Sequence, residues 1–170
     1  MSNETLKPNP EKTKSAPKLT GRPKSWAVLL ACALLVGLIV LLSGRASAPT
    51  LATLTVNPGS SNAKSYSLET VTTDTEQQQG LSGRSGLATD RGMLFTFPGE
   101  REERCIWMKD MKFTIDVLWL DRNKRIVSAI ANLTPASYPQ KYCASAAYIV
   151  ELPAGTIRGQ GLRTGQTVSL

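Results

Sequence analysis

The side chains of this chain that could do chemistry are carboxylates and cysteines, because the 170-residue sequence contains no histidine. Without histidine there is no Ser–His or Cys–His nucleophilic pair and no His-ligated zinc site. Two carboxylates about 5–10 Å apart could hydrolyse a glycoside or bind a hard cation through oxygen. The candidates lie on or beside strands that we predict to be central: Asp110, Asp116, Asp121 and Glu151.

Asp116 and Glu151 are the strongest candidates, because each lies on an otherwise apolar strand, where a carboxylate needs a partner. A structural interpretation competes with the catalytic one. In it, Asp116 and Glu151 pair with Arg84 or Lys109, and the other two carboxylates serve turns.

Trp107 lies in the run RCIWMKDMKFTIDVLWLD, residues 104–121, which is rich in tryptophan and methionine. The simplest interpretation is that these side chains are core. The alternative is that Trp107 borders a cleft whose polar walls are Arg84, Lys109 and Asp110. An aromatic side chain with a few convergent polar groups suits a glycan or a peptide end. We expect neither a cofactor nor a metal.

The first 44 residues differ in composition from the rest. Residues 1–25 are rich in Lys, Pro, Ser and Thr, and such a segment cannot offset its ordering entropy, so we predict disorder. Trp26 to Leu42 is an uncharged apolar run of 17 residues. At ~1.5 Å per residue it spans ~25 Å, the short end of what a bilayer requires. We predict a transmembrane helix over residues 26–44 and a linker over 45–50.

Two alternatives to an uncleaved signal anchor stay open. Ala46-Ser47-Ala48 resembles a signal-peptidase site, although the apolar run exceeds the usual ~7–15 residues. Leu29-Leu30-Ala31-Cys32 resembles a lipobox, although the apolar run continues beyond the cysteine.

The charges flanking the apolar run predict its orientation. Residues 1–25 hold six basic and two acidic residues, a net charge of +4, whereas residues 43–170 hold fourteen and eleven, a net charge of +3. The positive-inside rule places the N-terminus in the cytoplasm and residues 45–170 outside the cell membrane. Because over half of the net charge of +7 lies in the tail, we do not expect nucleic acid as a partner.

Cysteine use fits an oxidising compartment. Cys105 and Cys143 would both lie outside the membrane, and we predict that they form a disulfide. Two free thiols are the alternative.

Alternation of apolar and polar residues with regular turn signals predicts one β-rich domain over residues 51–170. Such a pattern is typical of a sandwich or barrel. Asp74 is the predicted N-cap of a short helix ending near Gln79, and residues 134–146 are a predicted loop. The predicted strands are 51–56, 64–72, 93–97, 111–120, 125–133, 148–152 and 167–170, with one helical turn within 154–160.

Several sequence blocks in this domain resemble the domain of unknown function family 192. They are QGLSGR (79–84), GMLFTF (92–97), WMKDM (107–111), IDV (115–117), LD (120–121), YIVELPAG (148–155) and GLRTGQ (161–166). The resemblance implies a compact, jelly-roll-like β-sandwich with short helices, and it implies no established activity. Ser82 stands where Met is usual, and Gln166 where Asp is usual, which weakens any acidic site at the last turn.

Three functions remain open from the sequence. The first is a membrane-anchored, extracytoplasmic β-domain that binds an envelope component or partner protein without chemistry. The second is a hydrolase of an envelope glycan that uses carboxylates around Asp116 and Glu151. The third is an assembly accessory whose partner is another membrane protein.

Overall fold

A computed structural model of the chain describes residues 49–99 and 102–170. The predicted cytoplasmic tail and transmembrane helix lie outside these described residues. Among the residues that are described, no helix is long and apolar enough to cross a membrane.

Eight strands and two short α-helices make up the described domain. The strands are β1 (Leu51–Val56), β2 (Lys64–Val71), β3 (Arg91–Thr96), β4 (Glu102–Trp107), β5 (Ile115–Leu120), β6 (Ile126–Leu133), β7 (Lys141–Ala146) and β8 (Tyr148–Pro153). The helices are α1 (Asp74–Gln79) and α2 (Thr156–Gln160), and a 3₁₀ turn covers Pro135–Ser137.

The strands form two sheets of unequal size. Six strands lie in the order β1-β2-β3-β8-β5-β6, and β4 pairs only with β7 in a two-stranded ribbon. Neighbours are antiparallel except β2 and β3, which are parallel. The prediction of a mainly β fold is therefore confirmed. The six-plus-two division differs from a jelly roll, in which eight strands form two Greek keys.

The six-stranded sheet is covered on both faces, so its central strands are almost wholly apolar. All six residues of β5 are buried. One face packs Leu118 and Val150 against Ile157 of α2 and the C-terminal segment. The other face packs Val117 and Ile149 against the ribbon and the loops that flank it. Glu151 follows Ile149 by two residues in β8, which places it on the ribbon side of the sheet.

The ribbon of β4 and β7 was not predicted from the sequence, although its disulfide was. Cys105 and Cys143 are directly opposite each other in the register of the two strands. Their sulfur atoms lie 2.09 Å apart, so the predicted pairing is confirmed. The indole nitrogen of Trp119 in β5 donates a 2.9 Å hydrogen bond to the carbonyl of Arg104, which ties the ribbon to the sheet.

Helix α1 begins one residue earlier than predicted, with Thr73 rather than Asp74 as its N-cap. The Thr73 hydroxyl accepts a hydrogen bond from the Glu76 N–H, and the Glu76 carboxylate accepts one from the Thr73 N–H. This capping box satisfies backbone donors that the first helical turn leaves free. The Gln77 side chain donates to the Thr96 carbonyl at 2.9 Å and so fixes α1 against the end of β3.

The predicted last strand is reduced to two isolated β-bridges. Thr167 pairs with Arg125, and Ser169 pairs with Thr55. The C-terminal segment therefore spans from the β6 side of the sheet to β1, across the face that carries α2.

Gly92 in β3 is a position where the fold requires the absence of a side chain. A Cβ there would lie 2.5 Å from a methyl carbon of Leu68 and 2.7 Å from the carbonyl oxygen of Glu151. We expect Gly92→Ala to lower the free energy of unfolding by about 1–3 kcal/mol, because a backbone oxygen in a central strand cannot move aside.

Chemical denaturation measures this loss, and Gly86→Ala is the matched control. Nothing lies within 4 Å of a Cβ at Gly86, so its unfolding free energy should change by less than about 1 kcal/mol. Equal midpoints for the two variants would contradict the close approach of β3 and β8.

Candidate functional site

A cavity of about 260 Å³ opens between α1, β4 and the ribbon-side face of β3 and β8. On the same measure one water needs about 10–15 Å³, so the space is large enough for a small organic ligand. We call it the Glu151 cavity and define it by the side chains Asp74, Gln77, Phe95, Phe97, Trp107 and Glu151.

Glu151 is the buried polar group of this cavity. Its residue is 7 % exposed, and its Oε2 atom has no hydrogen-bond partner. The residues opposite it in the sheet are apolar, Met93 in β3 and Val117 in β5. An unpaired buried polar atom is costly, and native proteins carry few of them. Glu151 therefore needs an explanation that the sheet itself does not supply.

Burial raises the pKa of Glu151 to about 8, because the ionised form loses its hydration. The Arg84 guanidinium acts in the opposite direction on this pKa, but less strongly. At neutral pH the side chain is consequently a neutral carboxylic acid for most of the time, and it can donate as well as accept a hydrogen bond.

Arg84 does not pair with Glu151, because its guanidinium group pairs with Glu69 instead. Its two terminal nitrogens donate to the two carboxylate oxygens of Glu69 at 2.7 and 2.8 Å. This bidentate hydrogen bond lowers the pKa of Glu69. Arg84, which we predicted to pair with Asp116 or Glu151, pairs instead with Glu69, a partly exposed residue that the sequence analysis did not single out.

Asp116 is fully buried but has the partners that Glu151 lacks. Its Oδ1 accepts hydrogen bonds from the backbone N–H groups of Asn132 at 2.7 Å and Gly155 at 3.2 Å. Its Oδ2 accepts one from the Ile157 N–H at 2.6 Å. The carboxylate thereby joins β5, β6 and the start of α2, a structural role. Asp116 does not line the Glu151 cavity, so the two carboxylates do not share one site.

Lys109 and Asp110 lie beside the cavity rather than in it. With Trp107 they line a wider recess of about 720 Å³, which shares Gln78, Gln79 and Ser82 with the Glu151 cavity. Asp110 has a positive φ of 55° and its carbonyl accepts from the Gly83 N–H at 3.0 Å. This loop therefore supports the end of α1, and Trp107 borders both spaces.

The rim of the cavity carries exposed aromatic surface. Trp107 is 41 % exposed and meets Tyr138 edge-on, with ring centroids 6.4 Å apart. The Lys141 ammonium lies 5.1 Å from the Trp107 ring centroid. Of the tryptophan and methionine side chains assigned to the core, Met108 and Trp119 are buried, whereas Trp107 is exposed. Arg84, predicted as one wall of a cleft at Trp107, lines neither of the two spaces that Trp107 borders.

One group of three potential metal ligands occurs among the described residues: Glu103, Cys105 and Cys143, all exposed. The two sulfur atoms are bonded to each other. Since a thiolate, not a disulfide, is the metal ligand, this group offers a single carboxylate in the oxidised protein.

Several cavity residues were not predicted as site residues from the sequence, namely Asp74, Gln77, Gln78, Gln79, Phe95 and Phe97. The one local signal was the run of Gln77, Gln78 and Gln79, since all three residues line the cavity. The phenylalanines gave no signal, because an aromatic residue in a strand is equally typical of a core.

The described domain is thus a small, mainly β module with a ligand-sized cavity and no assigned chemistry. The chain belongs to the DUF192 family, whose description is "Uncharacterized ACR"; the match covers residues 55–170. The predicted family resemblance is confirmed. No curated protein matches the chain.

Two solved structures share the fold. A protein from Sinorhizobium meliloti 1021, provisionally described as a transcription regulator, is 27% identical, with a TM-score of 0.66; the match covers 74% of this chain and 97% of that one. A protein of unknown function from Novosphingobium aromaticivorans DSM 12444 is 21% identical, also with a TM-score of 0.66, over 75% of this chain and 90% of that one. The second likeness shows the fold alone.

The two buried carboxyl groups predict opposite responses to an amide substitution. The pKa of Glu151 is higher in the folded protein, about 8, than its ordinary value of 4.5. The folded state therefore holds a proton that the unfolded state gives up between these values, and stability falls as pH rises from about 4.5 through 8. We expect Glu151→Gln to remove this fall and to be more stable than the natural protein at pH 9.

Asp116→Asn is the matched contrast, because the amide cannot accept all three backbone hydrogen bonds. We expect it to lose about 2–4 kcal/mol of unfolding free energy at neutral pH. Urea unfolding at pH 5, 7 and 9 measures both variants. A natural protein whose stability is flat over this range would contradict the raised pKa of Glu151.

Proposed function

We propose that this chain is a single-pass membrane protein whose β-domain lies outside the cytoplasm and binds a small cell-envelope ligand in the Glu151 cavity, without catalysing a reaction. The observation that carries the proposal is that Glu151, a buried carboxyl group with an unpartnered Oε2, lines an open cavity. A ligand that hydrogen-bonds the Glu151 carboxyl group would give this buried group a partner, which favours the bound state.

The rest of the lining supports binding of an organic ligand. The aromatic rings of Phe95, Phe97 and Trp107 and the aliphatic side chains of Ile106 and Ile149 form apolar walls. The glutamines of α1 and Ser82 add a few polar residues to this lining. Binding sites for small molecules combine such walls with a small number of polar contacts that fix orientation.

The location is proposed from the sequence and from the cysteine pair. The apolar run of residues 26–42 and the basic tail before it favour an anchor with its N-terminus in the cytoplasm. The exposed disulfide supports an oxidising compartment, because cytosolic thiols are kept reduced.

A hydrolase acting on an envelope glycan is the second candidate, and the cavity gives it one specific support. Asp74 lines the same cavity as Glu151, so a carboxylate and a protonated carboxylic acid face one space. This pair would replace the pair of Asp116 and Glu151 expected from the sequence. A general acid with a raised pKa and a second carboxylate are the groups that glycoside hydrolysis uses.

We do not extend the transcription-regulator description to this chain. The excess positive charge lies mainly in residues 1–25, outside the family match, and a basic domain surface is the usual mark of nucleic-acid binding.

The proposed binding predicts stabilisation of the purified protein by a ligand in a panel of cell-wall fragments, oligosaccharides, peptides and organic amines. A ligand at ~100 times its dissociation constant should add ~2.7 kcal/mol to the unfolding free energy. Thermal unfolding detects this change.

Trp107→Ala should abolish the effect, whereas Asp90→Asn, an exposed site outside the cavity, should retain it. Release of reducing sugar from an oligosaccharide, lost in Asp74→Asn, would favour the hydrolase instead. A panel without any stabilising compound would count against a small-ligand site.

The proposed topology predicts the result of adding protease to intact cells. The β-domain should be degraded while a cytoplasmic marker protein remains intact, because residues 45–170 would face outside. Immunoblotting of the domain measures its loss, and permeabilised cells show that the protease reaches both proteins. A domain protected in intact cells and degraded after permeabilisation would place it inside and overturn the topology.

A further inference from the structure

The lining of the Glu151 cavity is acidic in a chain that is basic overall. Of the described residues that line the cavity, Asp74 and Glu151 carry carboxyl groups and none is a lysine or arginine. The whole chain carries a formal charge of +7. Asp74 is exposed and Glu151 is 7 % exposed, so the two carboxyl groups mark the mouth and the floor of the cavity.

The apolar walls are of the kind that accept a positive charge. Phe95, Phe97 and Trp107 provide three aromatic rings, and a ring face attracts an ammonium or guanidinium group placed within about 6 Å. Two of these rings already do so within the protein. The Arg104 guanidinium lies 4.5 Å from the Phe97 centroid, and the Lys141 ammonium lies 5.1 Å from the Trp107 centroid.

We infer that the Glu151 cavity binds a cationic nitrogen group, an alkylammonium or alkylguanidinium, with Glu151 as its buried counter-ion, Asp74 as a second carboxylate at the mouth and the aromatic rings as walls. This inference rests on the proposed function and names its ligand class. A free amine and a basic side chain of a peptide present the same chemistry.

Among the residues that the structure describes, no charged side chain takes the place of this ligand at Glu151. Arg84 is the charged group that acts on Glu151 across space, but its nitrogens donate to Glu69. The facing positions in β3 and β5 are Met93 and Val117, and β4 contributes Cys105, Ile106 and Trp107 to the cavity. A cationic ligand would therefore supply the missing partner of the carboxylate.

Binding of a cation must be accompanied by loss of a proton. The pKa of Glu151 is about 8 without a ligand, so the carboxyl group is mostly protonated at pH 6.5. When an ammonium group docks, the O–H bond of Glu151 breaks, the proton passes to the buffer and the carboxylate remains as the counter-ion. A neutral ligand would instead bind to the protonated acid and release no proton.

Calorimetric titration of the full chain in a non-ionic detergent tests the inference with butylamine, butylguanidine and the neutral butan-1-ol as probes. At pH 6.5, titrations in two buffers of different ionisation enthalpy give the number of protons released. We expect close to one proton for each cationic probe and none for butan-1-ol. Affinity for butylamine should rise about tenfold per pH unit from pH 6 to 7.5 and level off above pH 8.

Two variants separate the contributions of the carboxyl groups. Glu151→Gln should weaken butylamine binding at least about tenfold and abolish proton release. Asp74→Asn, on the exposed surface of α1, should weaken it about two- to fivefold, as for a solvent-exposed ion pair, and keep the proton release. Because Asp74 is exposed, this second variant tests the cavity even where Glu151→Gln fails to fold.

The outcomes distinguish this inference from the proposed function. Cationic probes that bind no better than butan-1-ol, or that bind without proton release, would overturn the cationic ligand class. If an oligosaccharide then binds and Trp107→Ala abolishes that binding, the cavity remains a binding site for a neutral ligand. If neither the probes nor any compound of the panel binds, the proposed function fails together with the inference.

Discussion

Burial of both faces of the six-stranded sheet is the constraint on which this structure depends. All residues of β5 and the four middle residues of β8 are buried, so a polar side chain at these positions is costly unless it finds a hydrogen-bond partner. Two carboxyl groups lie there, and they differ in whether they have such partners. Asp116 receives three backbone N–H groups, whereas Glu151 keeps an unpartnered oxygen.

The difference between the two carboxyl groups follows from what covers each side of the sheet. Asp116 lies where β5 meets β6 and the start of α2, and the left-handed Gly155 turns backbone N–H groups toward it. Glu151 lies on the ribbon side, where the cover consists of side chains. A helix end can satisfy a carboxylate with fixed donors, but a ribbon that packs face-on presents side chains to the sheet, because its N–H groups lie in its own plane.

The cavity exists because the ribbon and α1 cover the sheet incompletely. β4 buries only Ile106 among its residues with a described side chain, while Trp107 remains exposed beside it. The ribbon is held to the sheet at Trp119 and is closed on itself by the disulfide. Helix α1 is fixed to the end of β3 by the side chain of Gln77 and lines the cavity together with Glu151 of β8. These fixed points leave the space above Glu151 open.

Sequence periodicity predicted the strands of the buried six-stranded sheet. It missed the two strands of the ribbon, β4 and β7. The run from Ile115 to Leu120 is apolar on both parities, which indicates a central strand. β4 and β7 have the sequences EERCIW and KYCASA, and their inward positions include Arg104 and the small Ala144 and Ala146. The alternation of large apolar and polar residues is therefore weak in both. The two strands pair with each other and are linked by the disulfide. Because they lie far apart in the sequence, no local sequence pattern indicates this pairing.

Long-range contacts also limit how much of the candidate site can be predicted from the sequence. Sequence reasoning identified Asp116 and Glu151 as carboxylates in need of partners, but the partners are set by tertiary structure. It could not foresee that Arg84 would pair with Glu69 in β2, since that pairing depends on the parallel contact of β2 with β3. The residues of α1 that line the cavity were predicted to be helical. Which side of this short helix faces the sheet is decided only by its packing in the folded protein, so the cavity lining could not be predicted.

The position of Arg84 separates a structural explanation of Glu151 from a functional one. A buried carboxylate that served stability alone would gain most from the nearest cation, because an ion pair in a low-dielectric interior offsets part of the cost of burial. Here the nearby guanidinium is bound on both nitrogens by a different carboxylate at a half-buried site. The folded protein therefore contains a buried, unpaired carboxyl group beside a cavity, which is unfavourable in free energy. A group from outside the chain that pairs with this carboxyl group would remove that unfavourable contribution, and the difference would appear as binding free energy.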